Sequence, residues 1–182
     1  MGDISYTDER AQKMLFPDEP MGEEKYILYA DLSDTDIGTS DFKSMDGKRV
    51  GVLMYTEPEI MLTEWENKNG IHTEHVNVNN DDDVEKKLAN HEIDCFVSLE
   101  ESLWSEQGIS SVTTIGKSGI YFAINKERSD IKTELDYAMR QLEQDSPFFK
   151  ADLYKKYFTL AYNQRLTGEE KLWLEEHGSI RI

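Results

Sequence analysis

Residues 49–98 read "RVGVLMYTEPEIMLTEWENKNGIHTEHVNVNNDDDVEKKLANHEIDCFVS", and their reading decides the fold. Three short runs rich in β-branched and apolar residues, "RVGVLM" (49–54), "HTEHVNV" (72–78) and "IDCFVS" (93–98), are strand candidates. Between them lie two helical patterns. "EPEIMLTEWENKNG" closes on Gly70, and "NDDDVEKKLANHE" opens with carboxylates that suit the positive end of a helix. The order is βαβαβ, which predicts a parallel sheet with right-handed crossovers and helices on its faces.

Outward from this unit, "KYILYA" (25–30), "SVTTIG" (111–116) and "IYFAIN" (120–125) read as further strands. The polar stretch "DLSDTDIGTSDFKS" (31–44) connects the first of them to the alternating unit. From Ser129 the chain turns helical. "DIKTELDYAMRQLEQDS" places Ile131, Leu135, Ala138, Met139 and Leu142 on one stripe, and "PFFKADLYKKYF" follows with Pro147 in its first turn. The last stretch, "LTGEEKLWLEEHGSIRI" (166–182), predicts a helix capped by Thr167 and stopped at Gly178, then a strand just beginning.

A length of 182 residues suffices for one domain, or one and part of another. With 20 Lys and Arg against 37 Asp and Glu, the formal charge of -17 repels phosphate backbones and anionic lipid, so nucleic acid and membrane surfaces are poor partners. Cys95 is the one cysteine, which excludes an internal disulfide framework and a four-cysteine zinc site. No apolar run approaches the roughly 20 residues of a membrane span.

The order of pieces resembles a known family. "ISYTDERAQKMLFPDEPMGEEKYILYA", "MDGKRVGVLMYTEPE", "KKLANHEIDCFVS", "IYFAINKERSDIKTELDYAMRQLEQD" and "LYKKYF" together are similar to the second half of a family 3 periplasmic solute-binding protein, and most of all to the Venus-flytrap sensor modules of bacterial membrane receptors. The resemblance covers residues 4–158. It implies an α/β fold, a periplasmic-binding-protein-like lobe with a central, largely parallel sheet flanked by helices and followed by C-terminal helices. The domain organisation it implies runs from residues 1–30, a remnant of lobe 1 and a hinge strand, through lobe 2 at 31–128 and C-terminal helices returning toward lobe 1 at 129–162. Residues 163–182 would be a linker helix and the first strand of a following module, so that the chain is a fragment of a tandem pair, lacking most of lobe 1.

The same resemblance implies an extracytoplasmic ligand-sensing domain of a signal-transduction receptor, periplasmic or at the cell surface. It would bind a small solute such as an amino acid in the inter-lobe cleft, with no cofactor, no metal, no catalytic residues and no insertion of its own into the membrane. The lobe 2 contacts fall on two turns. After "RVGVLM", where the family writes Gly-Thr, stand Tyr55, Thr56 and Glu57, so the hydroxyl is kept while a tyrosine replaces the glycine. After "IDCFVS", where an aspartate would hold a ligand ammonium, stand Ser98, Leu99 and Glu100, with Glu100 the nearest acid. Thr56 as a plain helix cap and Glu100 as a solvated surface acid are the alternatives.

Other signals lead nowhere. "GKS" (116–118) lacks the first glycine of a phosphate loop, Ser111 standing there, and precedes a strand rather than a helix. His72 and His75 are three apart in a strand pattern, which sends them to opposite faces, and both read as surface histidines. A degenerate flytrap acting as a spacer or dimerisation module, and a cytoplasmic α/β enzyme or phospho-acceptor domain, are the competing classes. The apolar stripes of the C-terminal helices, with Leu142, Phe148 and Leu153 among them, predict that the chain on its own is a homodimer.

Overall fold

The computed structural model describes residues 2, 4–34, 36–38, 42–100, 104, 107–157, 173 and 177. The described residues divide into two compact units, one formed from 2–25 and 117–157, the other from 26–116. Both boundaries fall inside strands, between Lys25 and Tyr26 and between Gly116 and Lys117.

The second unit holds the alternating pattern. Strands β4 (Arg49–Val52), β5 (Glu74–Asn77) and β6 (Cys95–Leu99) are joined by helices α2 (Glu57–Asn69) and α3 (Asp81–Ala89). β4 lies parallel to both β5 and β6, with Val50 opposite His75 and Cys95, as the sequence predicts. On the other side of β6 runs β3 (Gly22–Asp31), antiparallel, with Tyr26 opposite Leu99 and Ala30 opposite Cys95. β7 (Ile109–Tyr121) follows next to β3 in the sheet order.

Alternate residues of each strand feed two separate cores, because successive side chains of a strand point to opposite faces. Leu28, Ala30, Val50, Val52, Cys95 and Val97 pack with Leu62 and Trp65 of α2. Ile27, Tyr29 and Phe96 pack with Val84 of α3, Ile93 and Trp104. Burial on both faces is what allows these strands to be almost continuously apolar. Cys95 is fully buried and acts as a small hydrophobe. At Gly51 a Cβ would stand 2.9 Å from Ile93 Cδ1 and 3.0 Å from Val78 Cγ1, so a side chain at this strand position would force its neighbours to shift.

The start of the parallel unit is stapled by charge. Arg49 donates from Nε and Nη2 to the two oxygens of Asp94 at 3.1 and 2.7 Å, and Asp94 also accepts the Arg49 amide at 2.8 Å. Hydrogen bonding to this guanidinium holds the Asp94 carboxyl below its ordinary range.

Two readings of the sequence need correction here. "SVTTIG" and "IYFAIN" are not two strands but one long strand, β7, with a two-residue strand β8 (Ile124–Asn125) after it. Gly116 and Gly119 sit inside β7; at Gly116 the Met61 side chain occupies the space a Cβ would need. The stripe on the helix at Ser129–Asp145, α4, is also displaced. Leu135 and Met139 are half-buried and Asp136 is buried, whereas Ile131, Ala138 and Leu142 are exposed.

The first unit is built from short pieces. β1 (Ile4–Ser5) pairs antiparallel with the end of β7, α1 (Asp8–Lys13) is capped by the Thr7 hydroxyl, and β2 (Met14–Leu15) pairs antiparallel with β8. Tyr6, Phe16 and Tyr121 form an aromatic cluster with centroids 5.2 to 6.3 Å apart. Lys132 of α4 bridges Asp18 and Asp136 at 2.6 Å each, and Asp136 accepts the Asp18 amide at 2.8 Å. Burial pushes the Asp136 carboxyl up, but Lys132 and the Asp18 amide outweigh it and leave the group below its ordinary range. α5 (Phe149–Tyr157) follows, with Phe148 before it 73% exposed. Of the predicted C-terminal helix, only Trp173 and His177 lie among the described residues; Thr167, Gly178 and the terminal strand lie outside them.

Candidate functional site

In a parallel α/β unit, the loops at the carboxyl ends of the strands gather at one edge. Here three segments meet there: Leu53–Glu57 after β4, Val78–Asp81 after β5, and the end of β6. They enclose a cavity of about 410 Å³.

The β4–α2 turn is shaped by Tyr55, which adopts φ 63°, the left-handed region that favours glycine. Its N–H donates to Glu59 Oε2 at 2.5 Å, and its ring is 93% exposed. Thr56 follows at the N-cap of α2 with extended backbone, yet its hydroxyl makes no cap bond and donates to the Leu53 carbonyl instead. Thr56 thus holds the N-cap position while its hydroxyl closes the turn instead of capping the helix. Because its proton is committed, the Thr56 oxygen offers lone pairs to a further group. Glu57 and Pro58 then start the helix, with Pro in the first turn where no N–H is needed.

The β5–α3 turn is a lattice of amides. Asn80 caps α3 by accepting the Asp83 amide at 2.9 Å, and Asn79 donates from both nitrogens to Asp83 Oδ2 at 3.0 and 2.8 Å. Asn77 ties the two turns together, accepting from the Met54 amide at 3.3 Å and donating to Asn79 at 3.3 Å.

Of the five residues singled out in the sequence, Thr56, Glu57 and Ser98 line this cavity. Tyr55 points to solvent, and Glu100 is buried at 8% exposure, not a solvated surface acid. Asn79, Asn80 and Asp81 also line the cavity, and sequence reasoning missed them; Tyr26, which the sequence offers as a stacking aromatic though more readily as core, lines it too. The signal was available for these three asparagine and aspartate residues: the turn after β5 must share an edge with its parallel neighbours. The charged side chains among the lining residues are Glu57 and Asp81, both acidic.

Behind the turn lies a second departure from expectation. His75 is not a surface histidine, its side chain being 17% exposed between two glutamates of α2, with Nε2 3.2 Å from Glu66 Oε1 and Nδ1 3.6 Å from Glu59 Oε1. A strand residue facing a helix acquires whatever that helix presents, and Glu59 and Glu66, seven residues apart, share one side of α2.

The profile of the family described as "NMT1/THI5 like" matches residues 28–126, more than half of the chain and all of the parallel unit. The chain belongs to the NMT1/THI5-like family. No curated protein sequence matches this NMT1/THI5-like chain significantly. Among solved structures it is similar to the extracellular-binding protein YtmK of Bacillus subtilis, assigned to amino-acid ABC transport, at 19% identity and a TM-score of 0.68, covering 85% of this chain and 68% of that one. It is also similar to substrate-binding domain 2 of Lactococcus lactis GlnP, at 16% identity and a TM-score of 0.62 over 86% and 67% of the two chains. The second substrate-binding domain of a protein assigned to amino-acid ABC transport in Streptococcus pneumoniae gives 19% identity and a TM-score of 0.61 over 86% and 70%. These likenesses establish the periplasmic-binding-protein-like α/β fold of this NMT1/THI5-like chain. Among the described residues no helix is long and apolar enough to cross a membrane.

Proposed function

We propose that the chain is a solute-binding domain that takes a small solute such as an amino acid against the edge of its parallel sheet, as the ligand-sensing part of an extracytoplasmic receptor. The observation that carries this reading is the cavity at the ends of β4, β5 and β6, lined by Thr56, Glu57, Ser98 and Asp81. The charged groups of its walls are two carboxylates, with a threonine oxygen whose proton is already donated beside them. A carboxylate group meeting these walls is repelled, and an ammonium is attracted. The amino end of the solute therefore docks on this lobe, through Glu57, Asp81 and Thr56.

In this reading residues 31–128 are lobe 2, residues 1–30 and 129–162 belong with lobe 1, and residues 163–182 lead toward a following module. Binding, not catalysis, is the function. Structures of the same fold whose names record amino-acid transport, those from Bacillus subtilis and Streptococcus pneumoniae, support the choice of solute class. Leu142 at 44% exposure, Phe148 at 73% and Leu153 at 48% favour self-association of the isolated chain through its last helices; a monomer in light scattering at high micromolar concentration counts against that part.

The test is a two-dimensional amide NMR titration with free amino acids and with their N-acetylated forms. Shifts should concentrate at Thr56, Glu57, Asn79–Asp81 and Ser98 and vanish when the amine is acetylated. Equal response to both forms, or shifts scattered elsewhere, would refute the proposal.

A further inference from the structure

We propose that His75 is a proton-responsive strut behind the ligand turn, the charge on its ring setting how firmly Glu59 holds the Tyr55 amide. Its meaning for solute binding rests on the reading above; the coupling itself involves no ligand.

Each ring nitrogen faces a glutamate oxygen. Nε2 faces Glu66 Oε1 at 3.2 Å and Nδ1 faces Glu59 Oε1 at 3.6 Å. A neutral imidazole has one N–H, so one of its nitrogens must turn a bare lone pair toward a carboxylate oxygen. Only the protonated ring supplies a proton to each side. Among the described residues, Glu59 and Glu66 are the ionisable groups in contact with the ring, both from α2; the residue opposite on β4 is Val50. Histidine is also the side chain whose charge ordinarily changes between about pH 5 and 8.

The two glutamates respond differently when the charge is lost. Glu66 is 6% exposed and already accepts the Thr73 amide at 3.0 Å and the Thr73 hydroxyl, which hold it in place. Glu59 is 21% exposed and can turn to water. Its other oxygen accepts the Tyr55 N–H at 2.5 Å. Tyr55 holds a left-handed φ that a non-glycine residue keeps only when its surroundings impose it. Loss of charge at His75 therefore frees Glu59, weakens the bond that fixes Tyr55, and loosens the turn that carries Thr56 and Glu57. Protonation tightens the same turn, so the cavity is best formed on the acid side.

The experiment uses the full chain without ligand. Ring resonances of His75 and the amide shift and hydrogen-exchange protection factor of Tyr55 are followed from about pH 5 to 8.5, the range in which histidine changes charge. The expected result is a shared midpoint, with Tyr55 protection falling about tenfold above it, the worth of one charge-assisted hydrogen bond. In His75→Gln the Tyr55 signals should lose this pH dependence. In Glu59→Gln, which leaves the buried Glu66–Thr73 bonds intact, the Tyr55 signals should no longer follow the His75 ring resonances. A Tyr55 amide indifferent to the His75 titration, or one that keeps the same midpoint in either variant, overturns the proposal. Absence of any solute binding would sink the functional reading and leave this coupling standing.

Discussion

Glu66 and Thr73 close the connection between α2 and β5 from the inside: a carboxylate 6% exposed accepts the Thr73 amide at 3.0 Å and the Thr73 hydroxyl as well. Substituting Glu66→Ala leaves two donors buried and unpaired, each costing about 1–3 kcal/mol when a partner is lost. Urea denaturation should show a loss of about 2–4 kcal/mol. Glu66→Gln, which keeps an acceptor oxygen, should lose less than half of that. Equal losses for the two variants would show that packing, not these bonds, carries the effect.

Gly51 is a matter of space. A methyl group there meets Ile93, Val78 and Phe96 at 2.9, 3.0 and 3.2 Å in the middle of the sheet. Overpacking of this kind costs about 1–3 kcal/mol, so Gly51→Ala should lower the urea midpoint without changing the slope. The variant paired with Ile93→Val should recover part of the loss, because shortening the side chain removes its Cδ1, the nearest contact.

The Arg49–Asp94 pair predicts behaviour in acid. Its hydrogen bonds to Arg49 hold the folded-state value of Asp94 below that of the unfolded chain. The stabilisation is therefore fully present above the unfolded value and lost as pH falls through the folded one. Asp94→Asn should destabilise the chain at neutral pH and flatten the acid limb of a melting-temperature profile between about pH 5 and 2. An acid limb as steep as that of the parent chain would show that other carboxylates govern it.

How far the sequence carried the fold differs from element to element for physical reasons. The strands β4 and β6 were legible because burial on both faces makes them short apolar runs bounded by turn residues, and α2 because Gly70 ends it at φ 65°. β7 was not: 111–116 and 120–125 read as two runs, whereas the strand continues through Gly116 and Gly119, where Met61 and Tyr121 fill the missing side-chain space. The site divided in the same way. Thr56, Glu57 and Ser98 came from the resemblance, which points to the turns after β4 and β6, and they line one cavity, whereas the burial of Glu100 and of His75 depends on what other elements bring to them, which no local pattern records.

Tyr55 supplies the last test, because here the sequence departs from the glycine that the resemblance implies and the structure shows the consequence. The residue keeps φ 63°, where an L side chain crowds its own backbone by roughly 1–2 kcal/mol. Its ring, 93% exposed, recovers little of that by packing. Tyr55→Gly removes the crowding but adds freedom to the unfolded chain, worth about 0.5–1 kcal/mol in the opposite direction. The net expectation is a gain of up to about 1 kcal/mol in urea denaturation, with the Tyr55→Ala variant, which keeps a Cβ, gaining nothing. If the alanine variant gains as much as the glycine one, the exposed ring rather than the backbone is what costs stability. If both lose, the ring makes a contact that its exposure conceals, and the turn is held by Tyr55 itself rather than by the Glu59 bond to its amide.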